Sequence, residues 1–318
     1  MGDGMLPLYA VYDLDVSPLS FDFFHFLAGA REKANGRPVH VVICPGNRNG
    51  WRTIEHKPIT DAEREWRLHH ILLAGTQLCA FPVSLAGSRM EAGLITRGME
   101  VWPEGWRVDK PVDAYRTKPL KDSVALWRTM EWKASARARA FVDDWISSGL
   151  WNGKKPLVVI TLRETHTPTR NSNLDSWRRA ADALCSRDYR VAVARDTERM
   201  TQPLPGDWGG ARVFPFAPCD LDLRMALYEA ANLNIGRNGG PMMMPVMAGL
   251  PYLLFGVLAE PYFNEKTQKH ESVPTPRMMA DFGLPVGSQL HDAKDRKFIW
   301  EPDTDHALIV ERTLEALA

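Results

Sequence analysis

The chain has 318 residues, of which 45% are hydrophobic and 25% are charged, a length and composition typical of two globular domains. Its 39 basic and 39 acidic residues cancel, so it lacks the broad positive charge that nucleic-acid binding needs. The four cysteines are far apart and show no metal-ligand spacing, which favours a reducing compartment, and we expect a cytoplasmic protein. No apolar run reaches the roughly 18 residues of a membrane span, so any membrane contact is expected to be peripheral.

The chain begins with the pattern of a β-strand, an α-helix and a second β-strand. The apolar, aromatic and β-branched segments 8–14 and 39–44 are typical of strands, and residues 22–34 between them are typical of a helix. Such a unit has parallel strands and a right-handed crossover. We therefore predict a Rossmann-like N-terminal domain over residues 1–145.

The second half alternates strands and helices more regularly. Its predicted strands are 156–162, 189–196, 211–216, 233–237 and 252–255, and its predicted helices include 174–187 and 221–231. This alternation indicates a doubly wound parallel sheet, where ligands bind at the carboxyl ends of the strands. The predicted fold class is α/β, with two Rossmann-like domains (1–145 and 146–318), parallel sheets and a cleft between the domains.

A glycine-rich turn follows the predicted strand 233–237. It consists of Asn238, Gly239 and Gly240, and glycines allow a backbone to approach a ligand closely, while free amides at a helix start attract anions. The same residues also suit a simple tight turn from strand to helix that binds nothing. The turn is a candidate phosphate site, with this plainer interpretation beside it.

The loop after the first strand of the second half carries two arginines. Arg163 follows the apolar strand directly and Arg170 lies further along, and guanidinium groups grip a diphosphate through forked donors. Asn171 is a further candidate for substrate binding and, with its two polar neighbours, for capping the next helix. Alternatively, Arg163 forms a structural ion pair with Glu164 or Asp196.

Carboxylates follow strands in both halves. Asp196 comes after the second strand of the second half, where Rossmann domains commonly hold a ribose. Asp13, Asp15 and Asp22 follow the first strand of the chain and face the expected cleft, and any one of them is a candidate general base. Asp22 is equally well explained as a carboxylate favoured by the dipole of the helix that it begins.

Several common catalytic signatures are absent. The sequence contains no GxGxxG, GxxxxGK[ST], GxSxG or HExxH, which argues against dinucleotide oxidoreductases, P-loop NTPases, serine hydrolases and zinc proteases. The run Met242–Met244, with Met247, has no neighbouring cysteine or histidine, so we expect it to pack in the core. No metal site is predicted.

Residues 232–256 resemble the donor-binding segment of GT-B glycosyltransferases, especially the heptosyltransferase type. The matching motifs are Gly240-Pro241-Met242 and Gly249-Leu250-Pro251. Upstream, the succession of strand, polar loop, Trp-containing helix and strand over 156–196 is similar to that of such enzymes. Arg163 resembles the arginine that grips the diphosphate in the fucosyltransferase-like branch.

The first domain carries a shorter resemblance. Residues 21–30 are similar to the heptosyltransferase stretch in which an aspartate begins the first helix and acts as the general base. That resemblance assigns the role to Asp22.

The resemblance implies a hexosyl- or heptosyltransferase. A nucleotide sugar would bind to the C-terminal domain as co-substrate, its diphosphate held by Arg163, Arg170 and the amides of 238–240, with no further cofactor. A glycan, lipid-linked or protein hydroxyl would approach from the N-terminal domain, lose its proton to an aspartate, and receive the sugar with inversion and without a metal. The alternatives on this architecture are a sugar-nucleotide epimerase or hydrolase, or an inactive nucleotide-binding protein.

Overall fold

The computed structural model divides the chain into two compact units, Met1–Trp132 and Lys133–Ala318. The structure describes residues 6–46, 60–113, 132–148, 151, 155–165, 168–256, 262–264, 269–271, 289, 291 and 293–318. The predicted domain boundary, after residue 145, falls inside a helix of the second unit, Ala136–Ser147. No helix in the described ranges is long and apolar enough to cross a membrane. The predicted cleft between the domains stays a prediction.

The first unit contains a four-stranded parallel sheet. Its strands are β1 (Leu8–Asp13), β2 (Val39–Cys44), β3 (Val83–Leu85) and β4 (Val101–Trp102), in the order β3-β2-β1-β4. The helix between β1 and β2 is α1 (Phe23–Ala34). The predicted strand–helix–strand unit is therefore confirmed.

Helices pack on this sheet through buried apolar side chains. The later helices of the unit are α2 (Asp61–Arg67), a π-helical turn (Leu68–Leu73), α3 (Ala74–Leu78) and α4 (Arg89–Ile95). On α1, Phe23, Phe24 and Phe26 are fully buried, and the rings of Phe23 and Phe26 pack edge-on against Tyr12 of β1. Burial of these aromatic side chains is the main contribution that fixes α1 on the sheet.

The second unit contains a six-stranded parallel sheet. Its strands are β5 (Lys155–Thr161), β6 (Tyr189–Ala194), β7 (Arg212–Val213), β8 (Leu233–Arg237), β9 (Tyr252–Phe255) and β12 (Arg296–Phe298), in the order β12-β9-β8-β5-β6-β7. An antiparallel pair, β10 (Tyr262–Asn264) and β11 (Lys269–Glu271), precedes β12. From β5 the chain winds outward through β6 and β7, then returns to β8 on the other side of β5 and winds outward the other way. This is the predicted doubly wound sheet, and its switch point lies between β5 and β8.

The helices of this unit are α5 (Ala136–Ser147), α6 (Leu174–Cys185), α7 (Leu221–Ala230), α8 (Met243–Met247) and α9 (His306–Leu317). The indole ring of Trp177 on α6 is fully buried and packs edge-on against Phe255 of β9. Met242, Met244 and Met247 are also fully buried, as the sequence predicted, whereas Met243 is half-buried.

A glycine controls the distance between the two central strands. Gly236 of β8 is the register partner of Thr161 of β5. A Cβ atom at position 236 would lie 2.6 Å from the backbone oxygen of Thr161 and 3.0 Å from the side chain of Met242. The absence of a side chain therefore brings the ends of β5 and β8, and the loops that follow them, close together.

Candidate functional site in the second unit

The candidate site lies at the switch point of the second sheet, where β5 and β8 end side by side. Thr161 and Gly236 are register partners, so Arg163 and Asn238, each two residues further on, face each other. The backbone of Arg163 is fixed by Ser172, since the Arg163 amide donates to Ser172 Oγ (2.8 Å) and the Ser172 amide donates to the Arg163 carbonyl (2.8 Å). The carboxyl ends of strands at such a point are where α/β proteins bind ligands.

The guanidinium of Arg163 has no carboxylate partner among the described residues. Its Nη1 donates to the carbonyl oxygen of Asn238, and its Nε is buried with no hydrogen-bond partner within the described ranges. Burial is the main cause that lowers the pKa of Arg163 to about 9, with smaller contributions from the charges of Arg170 and Arg237, while Asp196 opposes the change. A buried cation among other cations is costly unless an anion joins it.

The alternative explanation for Arg163 was a structural ion pair with Glu164 or Asp196. In the structure, Glu164 pairs with Arg195 instead. Glu164 binds Arg195 through two parallel hydrogen bonds, Nε to Oε2 (2.9 Å) and Nη2 to Oε1 (2.6 Å). Both side chains are buried. Arg195 also donates to the carbonyl oxygen of Gln202. Glu164 is therefore neutralised by Arg195, and Arg163 is left for another anion.

Asp196 is buried and binds backbone amides. Its Oδ2 accepts from the Glu164 amide (3.2 Å) and its Oδ1 from the Thr197 amide (2.8 Å), where it caps a short 3₁₀ turn, Thr197–Arg199. The carboxylate thus joins the loops after β5 and β6. Its predicted contact with a ribose stays a prediction.

Asn171 holds the loop after β5 in shape. Its Oδ1 accepts from the Thr165 amide (2.7 Å), and its Nδ2 donates to the Thr165 carbonyl (2.7 Å). Arg170 lies beside it in the 3₁₀ turn Pro168–Arg170 and is exposed, with its charge acting on Arg163. Of the three polar residues predicted to cap α6, Asn173 does so through the Ser176 amide (3.1 Å), whereas Asn171 and Ser172 bond to the backbone of the loop.

The glycine turn is built against Arg163. The Asn238 amide donates to the Phe255 carbonyl (2.9 Å), and a Cβ atom on Gly239 would lie 3.1 Å from Cδ of Arg163. A 3₁₀ turn, Gly240–Met242, follows. Within the described residues, the amides of Gly239 and Gly240 have no acceptor. Arg163 and the predicted turn therefore pack against each other. The two free amides belong to the same turn that contacts this guanidinium, which has no carboxylate partner among the described residues.

A second buried ion pair, which the sequence reading missed, supports the same loops. Arg237, the last residue of β8, donates through Nη1 to Oδ1 of Asp303 (2.7 Å) and to the Asn171 carbonyl (2.9 Å). Asp303 is fully buried, and its Oδ2 accepts from the Asn173 amide (3.1 Å) and from the Trp177 indole (2.6 Å). One carboxylate thus ties β8, the loop after β5 and α6 together. No local signal marks Asp303, which is 66 residues from its arginine.

A cavity of about 330 Å³ opens beside Arg163. Its walls come from the loops after β5 and β6, and we call it the loop cavity. The polar side chains that line it include Arg163, Arg199 and Gln202, and the apolar ones are Leu174, Pro203 and Pro205. An anion held by Arg163 would therefore border a pocket large enough for a further group.

Two of the three candidate aspartates of the first unit are paired with one arginine. Asp13 is fully buried, and its Oδ2 accepts from Nε of Arg89 (3.0 Å) and from the Trp106 indole (2.9 Å). Asp15 accepts from Nη2 of the same arginine. Both carboxylates are therefore already engaged by a cation, which makes neither of them well placed to take the proton of a substrate hydroxyl.

Asp22 has a different environment. It lies at the N-cap position of α1, with no side-chain hydrogen bond to the helix amides, and its Oδ2 accepts from the Ser20 hydroxyl (2.9 Å). No cation pairs with it among the described residues. The capping explanation of Asp22 therefore finds no hydrogen bond to support it.

His25, one turn after Asp22, makes the first unit sensitive to acid. Burial lowers its pKa to about 4, and the charge of Asp22 only partly opposes this. Because the folded state keeps the imidazole neutral while the unfolded chain protonates near pH 6.5, the free energy of unfolding should fall by roughly 3 kcal/mol between pH 6.5 and about 4. Urea titrations across this range should show a clearly smaller fall in His25→Gln. The exposed His69→Gln is the control, and a His25→Gln profile like that of the parent would contradict the prediction.

Known structures share this architecture. No protein-family model matches the chain, and no curated protein matches it by sequence. A glycosyl transferase family 9 protein from Veillonella parvula is similar over 100% of this chain and 98% of its own, with 12% identity and a TM-score of 0.50. The ADP-heptose lipopolysaccharide heptosyltransferase II of E. coli is similar over 98% of both chains, with 12% identity and a TM-score of 0.44. With its two parallel α/β sheets, the chain shares the GT-B fold with this family 9 protein.

Proposed function

We propose that the chain is a glycosyltransferase, of hexosyl or heptosyl type, that moves a sugar from a nucleoside-diphosphate donor to a hydroxyl acceptor. The observation that carries the proposal is the Arg163 guanidinium, which lies half-buried at the switch point, with its Nε fully buried, and has no carboxylate partner among the described residues. A buried positive charge of this kind is stabilised by a bound anion. The GT-B fold supports a nucleotide-linked anion over a free one.

The diphosphate is bound by charge and by backbone amides. Arg163 and Arg170 supply forked positive donors, and the amides of Gly239 and Gly240 supply neutral ones. When the sugar leaves, negative charge grows on the diphosphate, and donors already fixed in position stabilise it without reorganisation. We propose that these groups take the place of a metal ion.

Asp22 is the proposed general base. Its carboxylate accepts a hydrogen bond from a hydroxyl, whereas the carboxylates of Asp13 and Asp15 are both engaged by Arg89. Removal of the acceptor proton by Asp22 makes the acceptor oxygen a nucleophile for the anomeric carbon. Attack opposite the leaving diphosphate gives inversion.

Calorimetric titration and thermal shift with UDP, GDP, ADP and CMP compounds test donor binding. At least one should bind and raise the melting temperature, because a ligand that binds only the folded state stabilises it by about 2.7 kcal/mol at 100 times its Kd. The matching nucleotide sugar is then incubated with glycan, lipid-linked and peptide acceptors, with and without EDTA. Sugar transfer that persists in EDTA is expected.

Each other outcome contradicts a part of the proposal. If no nucleotide binds, the donor site is wrong. Release of free nucleotide or an altered sugar without any acceptor would identify a hydrolase or an epimerase. Tight nucleotide binding without turnover on any acceptor would identify a nucleotide-binding protein that has lost transfer.

A further inference from the structure

The loop cavity is lined by seven polar and three apolar residues, and we call the pair Arg199 and Gln202 its polar end. Leu174, Pro203 and Pro205 contribute apolar surface, and Arg199 and Gln202 contribute polar groups. Apolar surface beside directional polar groups suits an aromatic heterocycle. Arg163, the proposed diphosphate ligand, lies in the wall of the same cavity.

The polar end is held on a fixed support. Arg195 is pinned by its paired hydrogen bonds to Glu164 and donates to the carbonyl oxygen of Gln202. The backbone of residue 202 is therefore hydrogen-bonded to a member of a buried ion pair. The side chain of Gln202 therefore extends from an anchored residue, although the loop itself is exposed.

The chemistry of Arg199 and Gln202 determines which groups at the polar end donate hydrogen bonds. Arg199 donates through Nη1 to Oε1 of Gln202 (2.8 Å), and because a guanidinium can only donate, the amide oxygen of Gln202 must face it. The Nε2 group of Gln202 and the remaining N–H groups of Arg199 have no acceptor among the described residues. The pair thus presents donors only.

We infer that the loop cavity binds the nucleobase of the donor and selects a base with keto oxygens, guanine or uracil, over the amino bases adenine and cytosine. This inference rests on the proposed function. Donors pair with the O6 and N7 acceptors of guanine or the O4 acceptor of uracil, whereas the amino groups of adenine and cytosine would place donors against donors. Arginine to guanine is the commonest specific pairing of this kind.

Two matched pairs of nucleotides test the inference. IDP and ADP differ at purine position 6, and UDP and CDP differ at pyrimidine position 4, in each case keto against amino. Calorimetry should give a keto nucleotide a Kd at least roughly tenfold lower than its amino counterpart in one pair, since a directional base contact is worth about that factor. The pair that shows the preference identifies a purine or a pyrimidine donor.

One substitution at residue 202 exchanges a hydrogen-bond donor of the site for an acceptor. Gln202→Glu replaces the Nε2 donor by an acceptor, so the preference should fall or invert towards ADP or CDP. Gln77→Glu makes the same change on an exposed residue of the first unit and should leave the preference as it was.

The outcomes separate this inference from the proposed function. Equal affinities within each pair, a preference for the amino member, or a preference that Gln202→Glu does not alter would overturn base selection while leaving donor binding intact. Failure of all four nucleotides to bind would overturn the proposed function itself.

Discussion

Asp303→Ala should lower the free energy of unfolding by about 3–5 kcal/mol, because it removes the carboxylate that compensates a buried charge. Arg237 is buried beside Asp303, and the variant removes the carboxylate oxygen that lies 2.7 Å from its guanidinium. The Trp177 indole, fully buried, would lose its acceptor as well. Urea denaturation followed by Trp fluorescence measures the change.

An exposed ion pair is the control for Asp303. Asp175 on α6 contacts Arg178 (2.8 Å) and Arg179 (2.9 Å), at the surface. Asp175→Ala should change stability little, because exposed pairs are screened by water. If the two alanine variants were equally stable, the Arg237–Asp303 pair would not hold the loops of the site.

Replacing Arg163 by methionine should weaken nucleoside-diphosphate binding roughly 10- to 100-fold. Charge-assisted hydrogen bonds are each worth about 1.5–3 kcal/mol, and each 1.4 kcal/mol is a factor of ten in affinity. Folding stability should be kept or should rise, because the parent carries the cost of a buried charge whose pKa is lowered to about 9. Arg163→Lys keeps the charge without the fork and should fall between parent and methionine variant.

The pH dependence of nucleoside-diphosphate binding is a second test of the role of Arg163. A bound diphosphate favours the charged guanidinium, so parent affinity should decline as pH rises through about 9. Above that pH the free protein also loses the cost of the buried charge. Arg163→Met should lack the part of the decline that comes from residue 163. Unchanged affinity in Arg163→Met would refute a role for this residue in donor binding.

The fold could be predicted from the sequence because its signals are local. Apolar strands such as 156–162 and amphipathic helices such as 174–187 show their periodicity within a dozen residues, and their alternation specifies a parallel sheet. The candidate residues Arg163 and 238–240 could also be predicted from the sequence, because ligands bind after the strands of such a sheet and the strands can be located without coordinates. The register of Thr161 with Gly236 then brings them together.

The partners of the charged residues could not be predicted in this way. The sequence offered Glu164 or Asp196 for Arg163, yet Glu164 pairs with Arg195, 31 residues away, and Asp196 binds amides. Choices between equivalent neighbours depend on side-chain directions at strand ends, which periodicity does not encode. The ion pair of Arg237 with Asp303 joins two distant parts of the chain for the same reason.

Arg163, which has no carboxylate partner in the described part of the chain, has a consequence for turnover in the proposed reaction. A nucleoside diphosphate has one more ionisable oxygen than its sugar ester, so a site that attracts negative charge holds the product more firmly than the donor. Departure of the spent nucleotide, and not bond cleavage, would then limit the steady-state rate. The enzyme would be strongly inhibited by its own nucleotide product, and a phosphatase that removes this product would accelerate it.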